Sequence, residues 1–100
     1  MKTIITEQNG SYVAAFDGRI DTAASPAVEQ DLKPMLEKNP KEIILDCTKL
    51  TYISSSGLRV FLSVLKNAKT WGGKVYLTGL NDDIRNIFSI TGFINLFQFK

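Results

Sequence analysis

Strand-like and helix-like segments alternate along almost the whole chain, and this alternation limits the possible folds more than any other feature. The predicted order is β-β-α-β-α-β-α-β. Strands that alternate with helices pair in parallel through right-handed crossovers, whereas two strands joined by a tight turn pair antiparallel. A chain of 100 residues has the length of one domain. The sequence therefore predicts a single compact α/β domain over residues 1–100, with a mixed β-sheet packed with three main helices.

A hairpin is predicted at Asn9-Gly10, near the start of the chain. A type I′ turn needs positive φ at both central positions, which Asn and Gly adopt most readily. The flanking segments, Thr3–Glu7 and Ser11–Asp17, are rich in β-branched and aromatic residues, as strands are. The first two strands are thus expected to form an antiparallel pair.

The first helix is predicted to begin at Ser25-Pro26, with the serine as N-cap and the proline as the first helical residue. Pro34 interrupts the helical pattern, because proline removes a backbone hydrogen bond and crowds the preceding turn. The helix is therefore expected to kink or end near Lys33.

The rest of the chain follows the same alternation. A strand buried on both faces is predicted at Glu42–Cys47, which contains the run Ile43-Ile44-Leu45. Thr48–Ile53 is predicted to be a short connection. A second helix is expected from Ser55 to Thr70. The remaining predicted elements are a strand at Lys74–Thr78, a third helix capped by Asn81 and ended by Gly92, and a short strand at Leu96–Phe99.

The second helix carries more apolar residues than one buried face needs. Leu58, Phe61, Leu62 and Leu65 form the expected core stripe, and Val60 with Val64 widens the apolar arc. A helix wedged between the sheet and a neighbouring helix would explain this, and so would a surface for a partner protein.

The chain has no histidine and a single cysteine, Cys47. Serine or cysteine nucleophiles activated by histidine are therefore excluded, and so is a multi-cysteine metal site. Cys47 ends an apolar run and is predicted to be a buried, inert thiol. No catalytic residue, metal or cofactor is predicted, and the chain is not expected to be an enzyme.

The formal net charge is only +2, and the basic residues are scattered along the sequence. Lysines such as Lys38, Lys41, Lys66, Lys69 and Lys74 are interpreted as solvated side chains, so no nucleic-acid partner is predicted. Met1–Glu7 lacks the apolar core of a signal peptide, and no apolar stretch approaches the ~20 residues that span a membrane. A cytoplasmic protein without direct membrane insertion is expected.

Three serines and a glycine, Ser54-Ser55-Ser56-Gly57, occupy the entry to the second helix. One serine suffices to cap the helix, so three exceed that structural need. The position lies beyond the carboxyl end of a strand, where α/β domains tend to bind ligands, and a helix N-terminus tolerates a phosphate. Simple capping and a modified or ligand-binding serine both remain open from the residues alone.

Three segments resemble the motifs of STAS domains. Gly18-Arg19-Ile20-Asp21 resembles their Gly-x-Leu-Asp signature, and Ser54-Ser55-Ser56-Gly57-Leu58 resembles Asp-Ser-Ser/Thr-Gly-Leu. Ile87–Phe93 is similar to the closing Phe-x-x-x-Gly-Leu segment. The order and spacing match over essentially the whole chain. The resemblance implies a STAS-like fold, and free-standing STAS domains of this length are typically bacterial anti-sigma factor antagonists.

The resemblance also implies partners and a switch that regulates transcription. Such antagonists bind an anti-sigma factor that is also a serine kinase of the histidine-kinase-like ATPase class, are released by phosphorylation, and are reset by a serine phosphatase. Carried onto this chain, the acceptor is Ser55. Ser54 replaces the motif aspartate, which leaves Ser54 and Ser56 as alternative acceptors. The expected partner-binding residues are Asp21, Ser54, Ser56, Gly57, Arg59 and Val60.

Two points stay open. Arg59 lies one helical turn beyond Ser55, where its guanidinium either pairs with a phosphate or faces solvent. The alternative function is a constitutive STAS subunit that clamps an ATPase in a lipid- or anion-transport assembly, which suits Ser54 and needs no phosphorylation. A small enzyme with a serine nucleophile lacks an evident base beside Ser55.

Overall fold

The computed structural model describes all residues, 1–100, and follows the predicted β-β-α-β-α-β-α-β order. The elements are β1 (Lys2–Gln8), β2 (Ser11–Ile20), α1 (Ser25–Leu36), β3 (Glu42–Ile53), α2 (Ser55–Thr70), β4 (Lys74–Thr78), α3 (Asp82–Ile90) and β5 (Gln98–Phe99). A 3₁₀ turn at Phe93–Asn95 joins α3 to β5. The predicted single α/β domain with three main helices is confirmed.

The five strands form one mixed sheet in the order β1-β2-β3-β4-β5. β1 pairs antiparallel with β2, and every other pair is parallel. Asn9 and Gly10 have φ values of 56° and 84°, so the predicted hairpin turn with two positive φ angles is confirmed. The Gly10 amide donates a hydrogen bond to the Glu7 carboxylate across this turn (3.0 Å).

β3 differs from its prediction in two ways. Its fully buried side chains, such as Ile43 and Leu45, all lie on one face, and the alternate residue Ile44 is only half-buried. The expectation of burial on both faces is therefore wrong. The strand also continues through Thr48–Ile53, which was predicted to be a connection. Irregularities in its register with β2 break the period of two, so the strand pattern is not visible in the sequence.

The start of α1 also differs from its prediction. Ser25 is the first residue inside the helix, not its N-cap, and its hydroxyl donates to the carbonyl oxygen of Asp21 (2.8 Å). The Asp21 carboxylate accepts a hydrogen bond from the Ala24 amide (2.8 Å), so Asp21 stabilises the turn that leads into α1. The helix continues through Pro34 to Leu36, and the predicted end near Lys33 is wrong. Leu32 and Met35, on either side of the proline, are both buried and hold this last turn on the core.

The bounds of α2 and β4 agree with the prediction, and α3 has the predicted cap. The Asn81 side chain accepts a hydrogen bond from the Ile84 amide (2.8 Å) and donates one to the carbonyl of Leu50 (3.2 Å). Gly92 has a φ of 78° after the end of α3. The last strand is shorter than predicted and covers only Gln98–Phe99.

The core lies between the helices and one face of the sheet. Val60 and Val64 are buried beside α1, so α2 is wedged between the sheet and a neighbouring helix. Leu62 and Leu65, which were predicted to belong to the core stripe, are only half-buried. A row of aromatic rings crosses this core, with centroid distances of 5.1 Å, 6.2 Å and 6.0 Å along Phe16, Phe61, Phe88 and Phe97.

Six exposed lysines gather at the end of the domain where α1 and α2 finish and β3 and β4 begin. They are Lys33, Lys38, Lys41, Lys66, Lys69 and Lys74. Glu37 and Glu42 lie at the same end, so acidic side chains are interspersed among these lysines. Positive side chains at this end complement the negative ends of the two helix dipoles. None of the three helices combines the length and the apolar character that a membrane-spanning helix requires.

Candidate functional site at the start of α2

The three serines at the start of α2 take three different structural positions. Ser54 is the N-cap: its Oγ accepts a hydrogen bond from the Gly57 amide (3.2 Å), and its own amide donates to the carbonyl of Ile20 (2.8 Å). Only 7% of Ser54 is exposed. The hydroxyl of Ser54 is thus engaged in holding α2 against the end of β2.

Ser55 is the first residue of α2 and is exposed. Its hydroxyl makes no hydrogen bond within the domain, because Ser54 already provides the cap. Ser56, the next residue, is half-buried and also lacks an internal hydrogen bond. Of the three hydroxyls, that of Ser55 is therefore both uncommitted and most accessible.

Gly57 places the first turn of α2 directly on the ends of β2 and β3. A Cβ atom at this position would lie 2.7 Å from Cγ1 of Ile53 and 2.8 Å from Cγ2 of Ile20. Both isoleucines are fully buried, so they have little room to move. The glycine is therefore needed for close packing, and this packing presents Ser55 outward.

Asp21 lies at the same edge of the sheet as the serines. The preceding residue, Ile20, pairs with Ile53 in the β2–β3 register, and its carbonyl accepts the Ser54 amide. Asp21 is half-buried, with its carboxylate bound to the Ala24 amide. The fold thus brings the Gly18–Asp21 segment next to the serine cluster.

A shallow groove of about 350 Å³ runs between the first turns of α1 and α2. Thr22, Pro26 and Glu29 line one side, and Ser56, Arg59 and Val60 line the other. Val60 is only 7% exposed and lies at the floor, whereas Arg59 is exposed at the rim. Three of the six predicted partner-binding residues therefore share one groove, and Gly57 is buried beneath them.

The charges near Ser55 are few. Arg59 forms no ion pair, since the one ion pair of the domain joins Lys100 to Glu42 at 2.9 Å. Arg19 lies over the ring of Tyr52, 4.6 Å from its centroid, and the two residues are paired in the β2–β3 register. Sequence reasoning missed this pair, because its register depends on an irregularity between Gly18 and Arg19.

Cys47 is fully buried, as predicted. Burial, with a smaller contribution from the nearby Asp46 carboxylate, raises the pKa of its thiol to about 12. The thiolate, which is the nucleophilic form, is therefore scarce at neutral pH. The domain holds no group of three or more cysteine, aspartate and glutamate side chains placed to bind a metal ion.

The amino-acid sequence matches the family model for the STAS domain over residues 2–100. It is similar to BtrV of Bordetella bronchiseptica, described as a candidate anti-sigma factor antagonist, with 33% identity over 97% of this chain and 84% of that protein. It is also similar to the anti-sigma-B factor antagonist of Staphylococcus aureus, with 30% identity over 91% of this chain and 84% of that protein.

Solved structures share the fold. An anti-sigma factor antagonist from Mycobacterium paratuberculosis superimposes with a TM-score of 0.89 at 20% identity, over 98% of this chain and 83% of that one. The phosphorylated form of SpoIIAA, a cell fate determinant of Bacillus, superimposes with a TM-score of 0.76 at 16% identity, over 99% of this chain and 91% of that one. At these identities the likeness concerns the fold alone.

Proposed function

The chain belongs to the STAS domain family, and from this premise we propose that it is an anti-sigma factor antagonist released from its partner by phosphorylation of Ser55. The observation that carries the proposal is the position of Ser55: exposed, uncommitted and first in α2, directly after a serine that already caps the helix. The curated relatives at 33% and 30% identity are named as antagonists, which supports the same function here.

Ser55 is favoured over its two neighbours as the acceptor. A phosphate on Ser54 would need the hydroxyl of a residue that is only 7% exposed, and that hydroxyl already accepts a hydrogen bond from the Gly57 amide. Ser56 is half-buried at the edge of the groove between α1 and α2. A kinase has to reach the hydroxyl so that its oxygen attacks the γ-phosphorus of ATP, with ADP leaving and the hydroxyl proton passing to a base of the kinase. Ser55 meets this requirement without local unfolding.

The switch acts at the surface rather than on the fold. A phosphate adds about −1.5 to −2 charges and three acceptor oxygens. The positive end of the α2 dipole favours that charge, so the domain should keep its structure when phosphorylated. In the complex with the partner protein, the same charge has to lose its water and faces no oppositely charged group that would bind it. The complex is therefore weakened.

The partner surface includes Ser55, the rim of the groove at Ser56 and Arg59, and the turn at Asp21. These residues come from two elements that meet at one edge of the sheet. The expected partner is an anti-sigma factor with serine kinase activity of the histidine-kinase-like ATPase class, and a serine phosphatase restores the binding form. This exchange would take place in the cytoplasm, where the kinase has ATP. The domain itself would bind rather than catalyse.

Mass spectrometry of the protein purified from its own host tests the proposal. Intact-mass and fragment analysis should find one phosphate, on Ser55, in part of the population. Ser55→Ala should remove the modification, whereas Ser89→Ala, a control at an exposed serine on α3 outside the partner surface, should retain it. An unmodified chain under all growth conditions, or a phosphate on another serine, would contradict the switch. An unmodified chain would favour the constitutive transport subunit.

A further inference from the structure

We propose that Arg59 binds the phosphate of phosphorylated Ser55 within the same helix. This inference rests on the proposed function, because it concerns the state that phosphorylation creates. Arg59 would hold the phosphate after its transfer, so a single phosphorylation would change the surface charge at both Ser55 and Arg59.

The spacing of the two residues places their side chains together. Ser55 and Arg59 are the first and fifth residues of α2, an i, i+4 pair whose Cβ atoms lie about 5–6 Å apart on one helix face. Long side chains in a helix point back toward its N-terminus, so Arg59 extends toward the turn that carries Ser55. Both residues are exposed, and no packing contact has to be broken for them to meet.

The guanidinium of Arg59 is free to accept this role. No carboxylate lies within ion-pair distance of it. Glu29 is the acidic residue that faces it across the groove, and the Asp21 carboxylate is bound to the Ala24 amide. The other arginine at this edge, Arg19, lies over the Tyr52 ring. A phosphate on Ser55 would carry about twice the charge of Glu29 and would be the stronger acceptor.

The structure also limits where the phosphate can go. Behind Ser55, the Gly57 position packs against Ile20 and Ile53 with no space for even one added carbon atom. The buried Ser54 hydroxyl occupies the capping position beside it. The phosphate therefore projects outward, along the face that carries Arg59. There a guanidinium offers two parallel N–H donors to two phosphate oxygens.

The pair explains how phosphorylation changes the partner surface without refolding. In the unmodified domain Arg59 presents a positive charge at the rim of the groove. In the phosphorylated domain the same guanidinium is drawn onto the phosphate of its own helix. The partner protein then loses its contact with the positive charge of Arg59 and at the same time faces the negative charge of the phosphate.

A ³¹P NMR titration of a domain with phosphoserine installed at position 55 during translation tests the pair without any kinase. The second pKa of a phosphoserine is about 6, and a bound guanidinium lowers it by favouring the dianion. For an exposed pair, Arg59→Gln should raise this pKa by about 0.3–0.7 of a unit. Arg59→Lys should restore part of the shift, and 1 M salt should abolish the difference.

Arg85→Gln is the matched control, because Arg85 is an exposed arginine on α3 that lies over Phe99 rather than near Ser55. An unchanged titration in Arg59→Gln, or an equal shift in Arg85→Gln, would overturn the inference. Failure of the proposed function would look different. In that case the native protein would carry no phosphate on Ser55, while the titration of the installed phosphoserine would still depend on Arg59.

Discussion

The Oγ atom of Ser54 accepts a hydrogen bond from the amide of Gly57 at 3.2 Å. This contact distinguishes Ser54, which caps α2, from Ser55, which is exposed. In the STAS motif that the sequence resembles, an aspartate occupies the position of Ser54. The cap of α2 is therefore neutral in this protein. A phosphate on Ser55 would have no carboxylate directly before it.

Removal of the cap should destabilise the domain. Ser54→Ala leaves the Gly57 amide without its partner in a buried position, and loss of such a cap costs about 0.5–2 kcal/mol of unfolding free energy. In a domain of this size about 1 kcal/mol lowers Tm by roughly 4–8 °C. Thermal unfolding followed by circular dichroism measures the change. Ser56→Ala is the control, and equal Tm values for the two variants would show that Ser54 is not the cap.

Gly57→Ala should destabilise the domain although alanine is the better helix former. The added carbon would lie 2.7 Å and 2.8 Å from two buried isoleucines. Overpacking of this kind costs about 1–3 kcal/mol, while the gain in helix propensity is at most about 1 kcal/mol. Urea denaturation should give a lower unfolding free energy than for the wild type. An increase would mean that the start of α2 shifts freely, and that the close packing at Ile20 and Ile53 does not position Ser55.

Ser55→Asp should abolish partner binding while the domain keeps its stability. A carboxylate in the first turn of a helix contributes about 0.3–1 kcal/mol, so Tm should stay the same or rise slightly. Calorimetric titration with the partner ATPase and a thermal melt of the free domain separate the two effects. A large loss of stability would show that the switch unfolds the protein instead of changing its surface.

The stability of the domain should depend on Glu42 in a defined pH range. The hydrogen bonds from Lys100 and then Ser11 hold the pKa of Glu42 below its usual value. A depressed pKa in the folded state gives stability that is full above the unfolded pKa of about 4.3 and is lost as pH falls through the folded value. Glu42→Gln should therefore be less stable than the wild type at pH 7, and the difference should shrink below about pH 4. A difference that is constant with pH would exclude this role.

The thiol of Cys47 should react slowly in the folded protein. Full burial and a pKa of about 12 leave little accessible thiolate at pH 8. A colorimetric disulfide reagent should therefore modify Cys47 only at the rate of unfolding, and rapidly in concentrated urea. Fast modification under native conditions would show that the strand segment around Cys47 opens locally.

The predictions that succeeded from sequence depend on interactions between near neighbours in the chain. The Asn9-Gly10 turn follows from the φ preferences of two residues, and the cap of α3 follows from one Asn81 side chain. The start of α1 was predicted wrongly even at this local level. Ala24, not the predicted Ser25, is the N-cap, and Asp21 accepts hydrogen bonds from the Ala24 amide and the Ser25 hydroxyl. The motif resemblance located the serine cluster, since all its residues are consecutive.

The sequence alone determined the order of the elements, most of their ends and the segment that carries the candidate site, because turns, caps and helical periodicity act over a few residues. Only the tertiary structure decided which serine is exposed. That choice depends on the Ile20 carbonyl, which accepts the Ser54 amide from a strand more than thirty positions away. Tertiary structure also decided three other features: the continuation of β3 through an irregular register, the Arg19–Tyr52 pair and the position of six lysines at one end of the domain. Burial and register arise from contacts between distant parts of the chain, which local patterns do not encode.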